Sequence, residues 1–522
     1  MKAKKIISLM LAATIICTAT ACQKGNTENN GNKENGGTTM NPIVNIAPPT
    51  LEPQPEIEDK GELIKYTISK TISSDMVVQR NSYFNVFGWS NNKGGVIYGE
   101  FMGEKRYGII DDSGKWSIKF SSHEATAEPQ TLKIYPKNGK TTEFKDILVG
   151  DVWMVSGQSN AELNLSFALT KTPEYKKEIK KEDNIRLFTQ TREHVMSIKD
   201  KVDLTKPQED VVNSNWKWKK ASLSNASVFS ALGYYFAKEL SRTVDVPLGV
   251  VMAAAGGAVL HELMPADVAT ECGLTSAPSV PVCGFYNSLL HPFTNNSITG
   301  MIFYQGESEA NAGQYKNYSA NLQKTVAAYR KIWGLDFPFI NVQLTTHMGE
   351  SLTGWYELDK IRAAQYDAYK AMGNSFFVVS RDQGFQTGDP DWAHPYYKLE
   401  LGKRAASIAA AVIYQKADIN YSTSPEPAKI TWKKDSVTID FNYVGDGLKL
   451  LVGEELTGFS VLDADGNRVI KSAELIDKDT VKLTTSSEGK TVCYCMFPEG
   501  TAEKANLGNS IGYPAPAFEL SK

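Results

Sequence analysis

The segment Gly157–Asn160, which follows the apolar run Ile147–Val155, carries the residues of this chain best suited to chemistry. Ser159 lies at the predicted exit of a buried strand, where the strand fixes its backbone and the turn lifts its hydroxyl clear of the sheet. A hydroxyl is a weak nucleophile until a base removes its proton. The pattern therefore predicts that a histidine, itself oriented by a carboxylate, lies close to Ser159 in an ester hydrolase.

His394 is the best candidate base among the six histidines of the chain. It follows Asp391 by three residues, and in a tight turn this spacing lets Asp391 accept a hydrogen bond from Nδ1 while Nε2 faces Ser159. The other histidines lie in β or charged regions, or lack a carboxylate at an orienting spacing. The alternative is that Asp391 caps a helix beginning near Pro395 and that His394 is an ordinary surface residue.

An acyl-transfer site also needs hydrogen-bond donors for the developing oxyanion, each worth about 10²–10³ in rate. The candidate donors are the backbone N–H of Ser159, the turn at Gly256-Gly257 and the side-chain amide of Gln305. Glycine lets the backbone approach a ligand closely; we take Gly257 as donor and Gly256 as support, although the sequence does not separate them. Gln305 could instead cap the turn that follows it. Glu307 could hold that loop or orient Gln305, with a purely structural role as the alternative.

The elements that must position these residues are strands separated by helical stretches, which implies an α/β fold with a parallel sheet. The predicted core strands are Ile147–Val155, Leu248–Ala254, Gly300–Tyr304, Phe337–Leu344 and Ser375–Ser380. The predicted helices are Phe229–Arg242, Tyr315–Trp333, Leu358–Ala371 and Tyr396–Ile413. Because ligands bind at the carboxyl ends of parallel strands, the serine turn, the glycine pair and Gln305 are expected to meet there.

Composition and patterning divide the chain into five segments. The predicted segments are a signal peptide over 1–22, a disordered linker over 23–60, an N-terminal β domain over 61–148, a hydrolase domain over 149–424 and a C-terminal β domain over 425–522. Both flanking β regions have short strands separated by turns, which favours β-sandwich-like structure.

The N-terminus has the pattern of an export signal. Three lysines precede the apolar run Ile6–Cys17, which is too short to be a stable membrane anchor. The small residues before Cys22 resemble a bacterial lipobox, so we expect an exported cell-surface or envelope protein with a lipid anchor at Cys22; ordinary secretion is the alternative. Cys272 and Cys283 could pair after export, a point that the sequence leaves open.

Other kinds of function find little support. The 56 basic and 59 acidic side chains give a net charge of −3, so nucleic acid is not an expected partner. No glycine-rich phosphate loop follows a strand, and no His/Cys cluster has metal-ligand spacing. We therefore expect neither a metal nor an organic cofactor. Ala161 replaces the last glycine of the Gly-x-Ser-x-Gly elbow, which argues against the common lipase type.

Several motifs stand in a characteristic order from about Ser69 to the C-terminus. They are Asp75–Arg80, Val149–Trp153, Gly157–Asn160, Phe229–Ala231, Gly284–Asn287, His291-Pro292, Tyr304–Ser308, Asp391-x-x-His394-Pro395 and Asn506–Phe518. In these segments the chain resembles the sialate O-acetylesterase family of SGNH-type hydrolases. The resemblance implies a three-layer SGNH-type α/β core with a parallel sheet, and no metal or cofactor.

The resemblance also assigns roles to individual residues. It implies Ser159 as nucleophile, His394 as base and Asp391 as its orienting carboxylate, with an oxyanion hole made by Ser159, a glycine of the Gly256-Gly257 pair and Gln305. Two departures concern the pocket and hence the choice of substrate. Ala161 stands where methionine is common, and the run 253–255 is alanine where the family has a more polar run with an aromatic.

The expected activity is a carbohydrate O-acetylesterase that removes acetyl groups from O-acetylated sugars. Trp392, Tyr304 and Asn160 are candidate contacts to the substrate, with ordinary packing as the alternative for each. Two other functions stay open: a deacetylase of xylan or another plant glycan, and a non-catalytic carbohydrate-binding surface lipoprotein.

Overall fold

A computed structural model describes residues 50–213, 215–310, 314–346, 357–383, 394–496 and 504–522. The predicted signal peptide, the predicted lipidation site Cys22 and most of the predicted linker lie outside these residues, as do Asp391 and Trp392. The structural statements below concern the described residues.

The N-terminal region is built of short β strands. These are β1 (Tyr66–Ile68), β2 (Val77–Gln79), β3 (Phe84–Ser90), β4 (Val96–Phe101), β5 (Glu104–Ile109), β6 (Lys115–Phe120) and β7 (Thr126–Tyr135). Strands β1, β3 and β6 form an antiparallel sheet. In β6 the residues Trp116, Ile118 and Phe120 are buried while their neighbours are exposed, because alternate side chains of a strand face opposite sides of the sheet.

The long strand β8 (Thr142–Gly157) connects this region to the rest of the molecule. Its first residues alternate between half-buried and exposed positions and pair antiparallel with β7. From Ile147 onward every residue of β8 is buried, as is typical of a strand covered on both faces. One continuous strand therefore crosses the boundary that the sequence placed between residues 148 and 149.

The second half of β8 lies inside a large sheet with the strand order β10-β9-β11-β8-β12-β13-β14. Its further strands are β9 (Glu182–Thr189), β10 (Trp218–Ala221), β11 (Leu248–Ala254), β12 (Gly300–Tyr304), β13 (Phe339–Gln343) and β14 (Ser375–Val379). The pairs from β9 to β14 run parallel, whereas β10 and the N-terminal strand β7 join antiparallel. The α/β class is thus confirmed, and the sheet as a whole is mixed.

Helices cover and connect these strands. They are α1 (Ser159–Glu162), α2 (Leu165–Ala168), α3 (Arg192–Ile198), α4 (Leu223–Ser227), α5 (Ala231–Leu240), α6 (Ala266–Glu271), α7 (Tyr318–Trp333), α8 (Leu358–Ala371) and α9 (Lys398–Val412). Helix α5 packs against α9 and β11, and α8 packs against α7, β13 and β14. The bounds of α8 coincide with those predicted from its 3.6-residue periodicity.

The C-terminal region is again built of strands. These are β15 (Glu426–Trp432), β16 (Ser436–Asn442), β17 (Leu448–Leu450), β18 (Phe459–Leu462), β19 (Ile470–Asp477), β20 (Thr480–Thr485), β21 (Thr491–Tyr494), β22 (Leu507–Asn509) and β23 (Phe518–Ser521). The buried guanidinium of Arg381, just after β14, donates to the backbone carbonyls of Ala505, Leu507 and Ala515. The C-terminal strands therefore brace the segment that leaves the large sheet at β14.

Candidate active site

Ser159 begins α1 two residues after the end of β8. The last residue of that strand, Gly157, is in register with Ala254 of β11 and Tyr304 of β12. Gly157 has a φ of +128°, and a Cβ at this position would lie 2.0 Å from the backbone oxygen of Tyr304. Only glycine fits such a turn. The chain thus turns sharply at the carboxyl edge of the sheet and leaves Ser159 half-buried there.

The glycine pair follows β11 and lies beside the serine. A Cβ on Gly256 would lie 3.5 Å from the Cβ of Ser159. The Gly256 N–H donates to the Glu162 carboxylate at 2.6 Å, so it already has an acceptor. Gly257 is exposed with a φ of +75°, and its N–H has no acceptor among the residues that the structure describes. Gly257 is therefore the better oxyanion donor of the two.

Glu162 is a residue that the sequence analysis did not single out. It lies one helical turn after Ser159, and its carboxylate accepts from the backbone N–H of Arg192 at 2.9 Å as well as from that of Gly256. Burial raises the pKa of Glu162, and the two N–H donors partly offset this rise. The only available signal was an acidic residue three positions after the candidate nucleophile.

Gln305 follows β12 and is fully buried. Its Nε2 donates to the Ala258 carbonyl at 3.2 Å, to Gln158 Oε1 at 3.3 Å and to the carboxylate of Glu309. The Tyr318 hydroxyl donates to Gln305 Oε1 at 2.9 Å. The role of Gln305 as an oxyanion donor stays a prediction; in the structure its N–H groups have internal acceptors. In this arrangement Gln305 braces the turn that carries the serine.

Glu309, rather than the expected Glu307, holds Gln305 in place. One carboxylate oxygen of Glu309 accepts from Gln305 and the other from the backbone N–H of Leu260. Burial raises the pKa of Glu309 to about 7, and the neighbouring charge of Glu307 adds to this rise. Alternating acidic residues directly after a strand were the sequence signal, but spacing alone did not show which one contacts Gln305.

A buried network of Asn160, Glu307 and Lys398 connects the serine turn to α9; we call it the Lys398 network. Lys398 is fully buried, and its Nζ donates to Asn160 Oδ1 at 2.5 Å. The Asn160 amide in turn donates to Glu307 Oε1. Burial raises the pKa of Glu307, while Asn160 and the charge of Lys398 oppose the rise. The residue next to the candidate nucleophile is therefore bonded to the first residue of α9.

In the sequence, Asp382 and His394 lie on either side of positions 384–393. His394 is half-buried and lies four residues before Lys398, whereas Asp391 lies outside the described residues. At the other end of this segment, Asp382 forms two hydrogen bonds of 2.7 and 2.6 Å with the guanidinium of Arg404 on α9. Burial alone would raise the pKa of Asp382, but Arg404 lowers it below the usual range.

Tyr304 and Asn160, two of the predicted substrate contacts, are buried. Tyr304 is fully buried with its hydroxyl 3.1 Å from Ser380 Oγ, and Asn160 is 1% exposed with its amide bonded inside the Lys398 network. Direct contact of either side chain with a substrate stays a prediction, and their burial favours the alternative of ordinary packing. The third expected contact, Trp392, lies outside the described residues.

The remaining candidate features are metal ligands, membrane-spanning helices and the cysteines Cys272 and Cys283. In the part of the chain that the structure describes, no group of three or more His, Cys, Asp and Glu side chains is placed to hold a metal ion. Within that same part, every helix is too short or too polar to cross a membrane. Cys272 and Cys283 are both free thiols, and burial raises the pKa of Cys283 to about 11.

Comparison with known proteins identifies the family to which this chain belongs. A family model described as carbohydrate esterase, sialic acid-specific acetylesterase, matches residues 149–410, which is half of the chain. The sialate O-acetylesterase of Homo sapiens is 22% identical over 406 residues, covering 71% of this chain and 75% of the human protein. The enzyme of the same name from Rattus norvegicus is 25% identical over 352 residues, covering 56% and 61%.

A solved structure matches most of the fold. The crystal structure of a carbohydrate acetylesterase from Xanthomonas citri has a TM-score of 0.75 and 25% sequence identity. The match covers 88% of this chain and all of that chain. The similarity therefore extends beyond the large sheet into the flanking β regions.

Proposed function

Because the chain belongs to the carbohydrate esterase family of sialic acid-specific acetylesterases, it is a carboxylic-ester hydrolase, and we propose that it removes acetyl groups from O-acetylated sugars by a Ser-His-Asp mechanism. The nucleophile is Ser159, the base is His394, and Asp391 orients the base. The backbone N–H groups of Ser159 and Gly257 and the side-chain amide of Gln305 stabilise the oxyanion, with Gly256 and Glu307 supporting the site.

The proposed reaction has two steps. His394 takes the proton of Ser159 Oγ as this oxygen attacks the acetyl carbonyl, and it then gives the proton to the departing sugar oxygen. The carbon–oxygen bond to the sugar breaks and leaves an acetyl ester on Ser159. Water, deprotonated by His394, attacks this ester, and the Ser159 oxygen leaves with the proton as acetate is released. Each tetrahedral intermediate places its negative oxygen at the same backbone donors.

The observation that carries this proposal is the meeting of three strand-end segments around Ser159. A Cβ added to Gly256 would lie at van der Waals distance from Ser159, so the two residues are neighbours, and Gly257 beside them has a backbone donor without an acceptor among the described residues. The bond from Lys398 to Asn160 supports a position for His394 near the serine, since only four residues separate His394 from Lys398. These observations support a nucleophile, an oxyanion donor and a base at one edge of the sheet.

The finer architecture is part of the same proposal. We assign residues 149–424 to a three-layer SGNH-type core, with residues 61–148 and 425–522 as β-sandwich-like flanks. The parallel register from β9 to β14, with α5, α8 and α9 packed on this sheet, supports the core assignment. The antiparallel sheets β1-β3-β6 and β15-β16-β20-β19 support the assignment of the flanks.

Export and lipidation at Cys22 are a separate proposal that rests on the sequence of residues 1–22. The cell-surface location, on a membrane only through this lipid anchor, suits an enzyme that acts on glycans outside the cell. A Cys22→Ala variant is expected to be released from the membrane fraction. If this variant stays membrane-bound and fully processed, the lipid anchor is not at Cys22.

The decisive test of the activity is acetate release by the wild type and by Ser159→Ala, with p-nitrophenyl acetate and a panel of acetylated sugars. The variant is expected to lose at least about 10³-fold in kcat, because without the nucleophile only oxyanion stabilisation and binding remain. Ser166→Ala is the matched control, since Ser166 is exposed on the neighbouring helix α2 and is expected to keep full activity. Equal activity of Ser159→Ala and the wild type would contradict the proposal.

Two further measurements separate the alternative functions. A fluorophosphonate probe is expected to label the wild type at Ser159; an unlabelled protein that still binds glycan would instead support a non-catalytic binding protein. Acetate release from O-acetyl sialic acid compared with acetylated xylan distinguishes a sialate esterase from a plant-glycan deacetylase.

A further inference from the structure

A cleft with a volume of about 630 Å³ is lined in part by Gly257, which follows Gly256, the neighbour of Ser159. Its lining residues are Gly257, Val259, His261, Ser276, Ala277, Pro278, Ser308 and Gln314. Gly257 is the proposed oxyanion donor, and the Ser308 hydroxyl donates to its carbonyl at 3.1 Å. The cleft therefore includes the proposed oxyanion donor in its wall.

The size of the cleft bears on which part of the substrate it holds. Small-molecule sites measure about 300–1,000 Å³, and this cleft falls in that range. An acetyl methyl group needs only a small fraction of such a volume. If the acetyl carbonyl binds at the Gly257 N–H, the space beyond is suited to the alcohol part of the ester, which is the sugar.

The lining of the cleft is polar but contains no Lys, Arg, Asp or Glu among the described residues. Ser276, Ser308 and Gln314 offer hydroxyl and amide groups, while Val259 and Pro278 offer apolar surface. This mixture suits a sugar ring, whose hydroxyl groups need hydrogen bonds and whose C–H face needs apolar contact. A carboxylate on the ligand would find no cationic partner in this lining.

His261 is the ring in the cleft lining. Burial lowers the pKa of His261, although the nearby Glu262 opposes this, and a hydrogen bond joins its side chain to the Ser276 backbone. A neutral imidazole that donates through one ring nitrogen has the other nitrogen as an acceptor, which matches a sugar hydroxyl.

One buried acid, Glu262, lies behind the lining of the cleft. The carboxylate of Glu262 is fully buried and accepts from the backbone N–H groups of Val259, Ser279 and Val280. These acceptors place negative charge directly beneath the lining, which disfavours an anionic ligand. A neighbouring cavity of about 370 Å³ shares His261 and Gln314 with the cleft, and the exposed Lys316 lies in that cavity rather than in the cleft.

We propose that the cleft between Gly257 and Gln314 is the subsite for the sugar of the substrate, that it takes a neutral acetylated sugar in preference to a carboxylated one, and that His261 accepts a hydrogen bond from this sugar. The inference rests on the proposed acetylesterase function and adds the substrate class and a specificity-determining residue. His261 contacts the sugar but takes no part in the proton transfers.

The test uses three variants and three substrates. Ser276→Trp fills the mouth of the cleft, His261→Ala removes the acceptor, and Thr275→Trp is the matched control because Thr275 is equally exposed but does not line the cleft. The substrates are p-nitrophenyl acetate, which lacks a sugar, an acetylated methyl xyloside and O-acetyl sialic acid. Values of kcat and KM are measured for each pair on the full-length protein.

The expected result separates sugar binding from chemistry. Ser276→Trp and His261→Ala raise KM for the acetylated xyloside by about tenfold, which corresponds to the loss of roughly one hydrogen bond or ring contact. Hydrolysis of p-nitrophenyl acetate stays within about twofold of the wild type, which also shows that these variants are folded. Thr275→Trp behaves as the wild type on both substrates.

The outcomes that overturn the subsite differ from those that overturn the function. A wild type that is active on sugar esters but unaffected by Ser276→Trp and His261→Ala places the sugar elsewhere, while the acetylesterase function stands. A higher kcat/KM for O-acetyl sialic acid than for the acetylated xyloside refutes the preference for neutral sugars. A wild type that is inert on all three substrates refutes the proposed function itself.

Discussion

Replacing Lys398 by methionine tests whether the Lys398 network positions the nucleophile. The change removes the ammonium that donates to Asn160 Oδ1 and leaves the neighbouring Glu307 without its nearby cation. Methionine keeps much of the buried volume of the lysine stem, so the loss is mainly polar. The variant therefore isolates the charge and the hydrogen bond from the packing of α9.

The expected cost follows from the burial of the partners. Asn160 is 1% exposed, and removing the Lys398 donor from this buried acceptor costs about 1–3 kcal/mol. Glu307 is also buried, and its Oε2 has no hydrogen-bond partner among the described residues, so losing the cation adds about 1 kcal/mol or more. We expect a total loss of about 2–4 kcal/mol in the free energy of unfolding. The loss is smaller when Glu307 is protonated, because the buried charge is then removed.

The loss of stability in Lys398→Met therefore depends on pH. Burial already raises the pKa of Glu307, and removal of Lys398 raises it further. An acid whose folded pKa lies above its unfolded value destabilises the fold as pH rises from the unfolded pKa through the folded one. The Lys398→Met variant is therefore expected to lose more stability at pH 8 than at pH 5.

The assay combines urea unfolding with turnover of p-nitrophenyl acetate at pH 5 and pH 8. Because Asn160 adjoins Ser159, a displaced turn is expected to lower kcat by about 10²-fold. Lys403→Met is the matched control on the same helix, where Lys403 forms an exposed 2.7 Å ion pair with Glu400 worth less than about 0.5 kcal/mol.

The reasoning fails if Lys398→Met matches Lys403→Met in both stability and kcat at pH 8. Such a result would mean that Asn160 and Glu307 find other partners without moving the serine turn. Equal losses of stability at pH 5 and pH 8 would refute only the part of the argument that concerns protonation of Glu307.

Three further substitutions test the site. Gly157→Ala is expected to lose at least about 2 kcal/mol of stability by urea unfolding, because its Cβ would collide with the Tyr304 backbone at a positive φ; a loss below 0.5 kcal/mol, on the order of a surface change, would contradict this. Gly256→Ala is expected to lower kcat about tenfold, since its Cβ would lie 3.0 Å from the Glu162 carboxylate and displace the loop beside Ser159; an unchanged kcat would contradict it. Burial raises the pKa of Glu309 to about 7, so its ionisation costs stability between about pH 4.5 and 7. Glu309→Gln is therefore expected to gain stability relative to the wild type as pH rises through that window, and a difference that is constant with pH would refute the assignment.

Much of the fold was predictable because local pattern and burial agree. The apolar runs Leu248–Ala254 and Gly300–Tyr304 are β11 and β12 with the bounds that the sequence predicted. Strand β9 was not predicted, because it begins in a charged segment whose Lys/Glu pattern suggests a solvated helix face. Its burial arises from tertiary contacts, because β9 pairs with β11 inside the sheet. There Ile185, Leu187 and Phe188 are buried.

The candidate site divides in the same way. Ser159 and the glycine pair were predictable, because a strand end and its turn are encoded within a few consecutive residues. The hydrogen bonds of the buried Gln305 and Tyr304 side chains were not predictable from the sequence. Their partners come from other parts of the chain, namely Glu309, Tyr318 and Ser380. Sequence spacing predicts which residues reach the edge of the sheet but does not show which of them face inward.

The loop after β11 shows how buried charge gives the site its shape. Three carboxylates, those of Glu162, Glu262 and Glu309, accept the backbone N–H groups of Gly256, Val259 and Leu260, respectively. Burying a carboxylate is costly unless hydrogen bonds satisfy it, and here each acid is satisfied by the same short loop. Every bond fixes one peptide of this loop, and the exposed Gly257 lies between the fixed positions with its N–H unoccupied among the described residues. A donor held by its neighbours in this way needs little reorganisation when an oxyanion forms, which is the property that electrostatic catalysis requires.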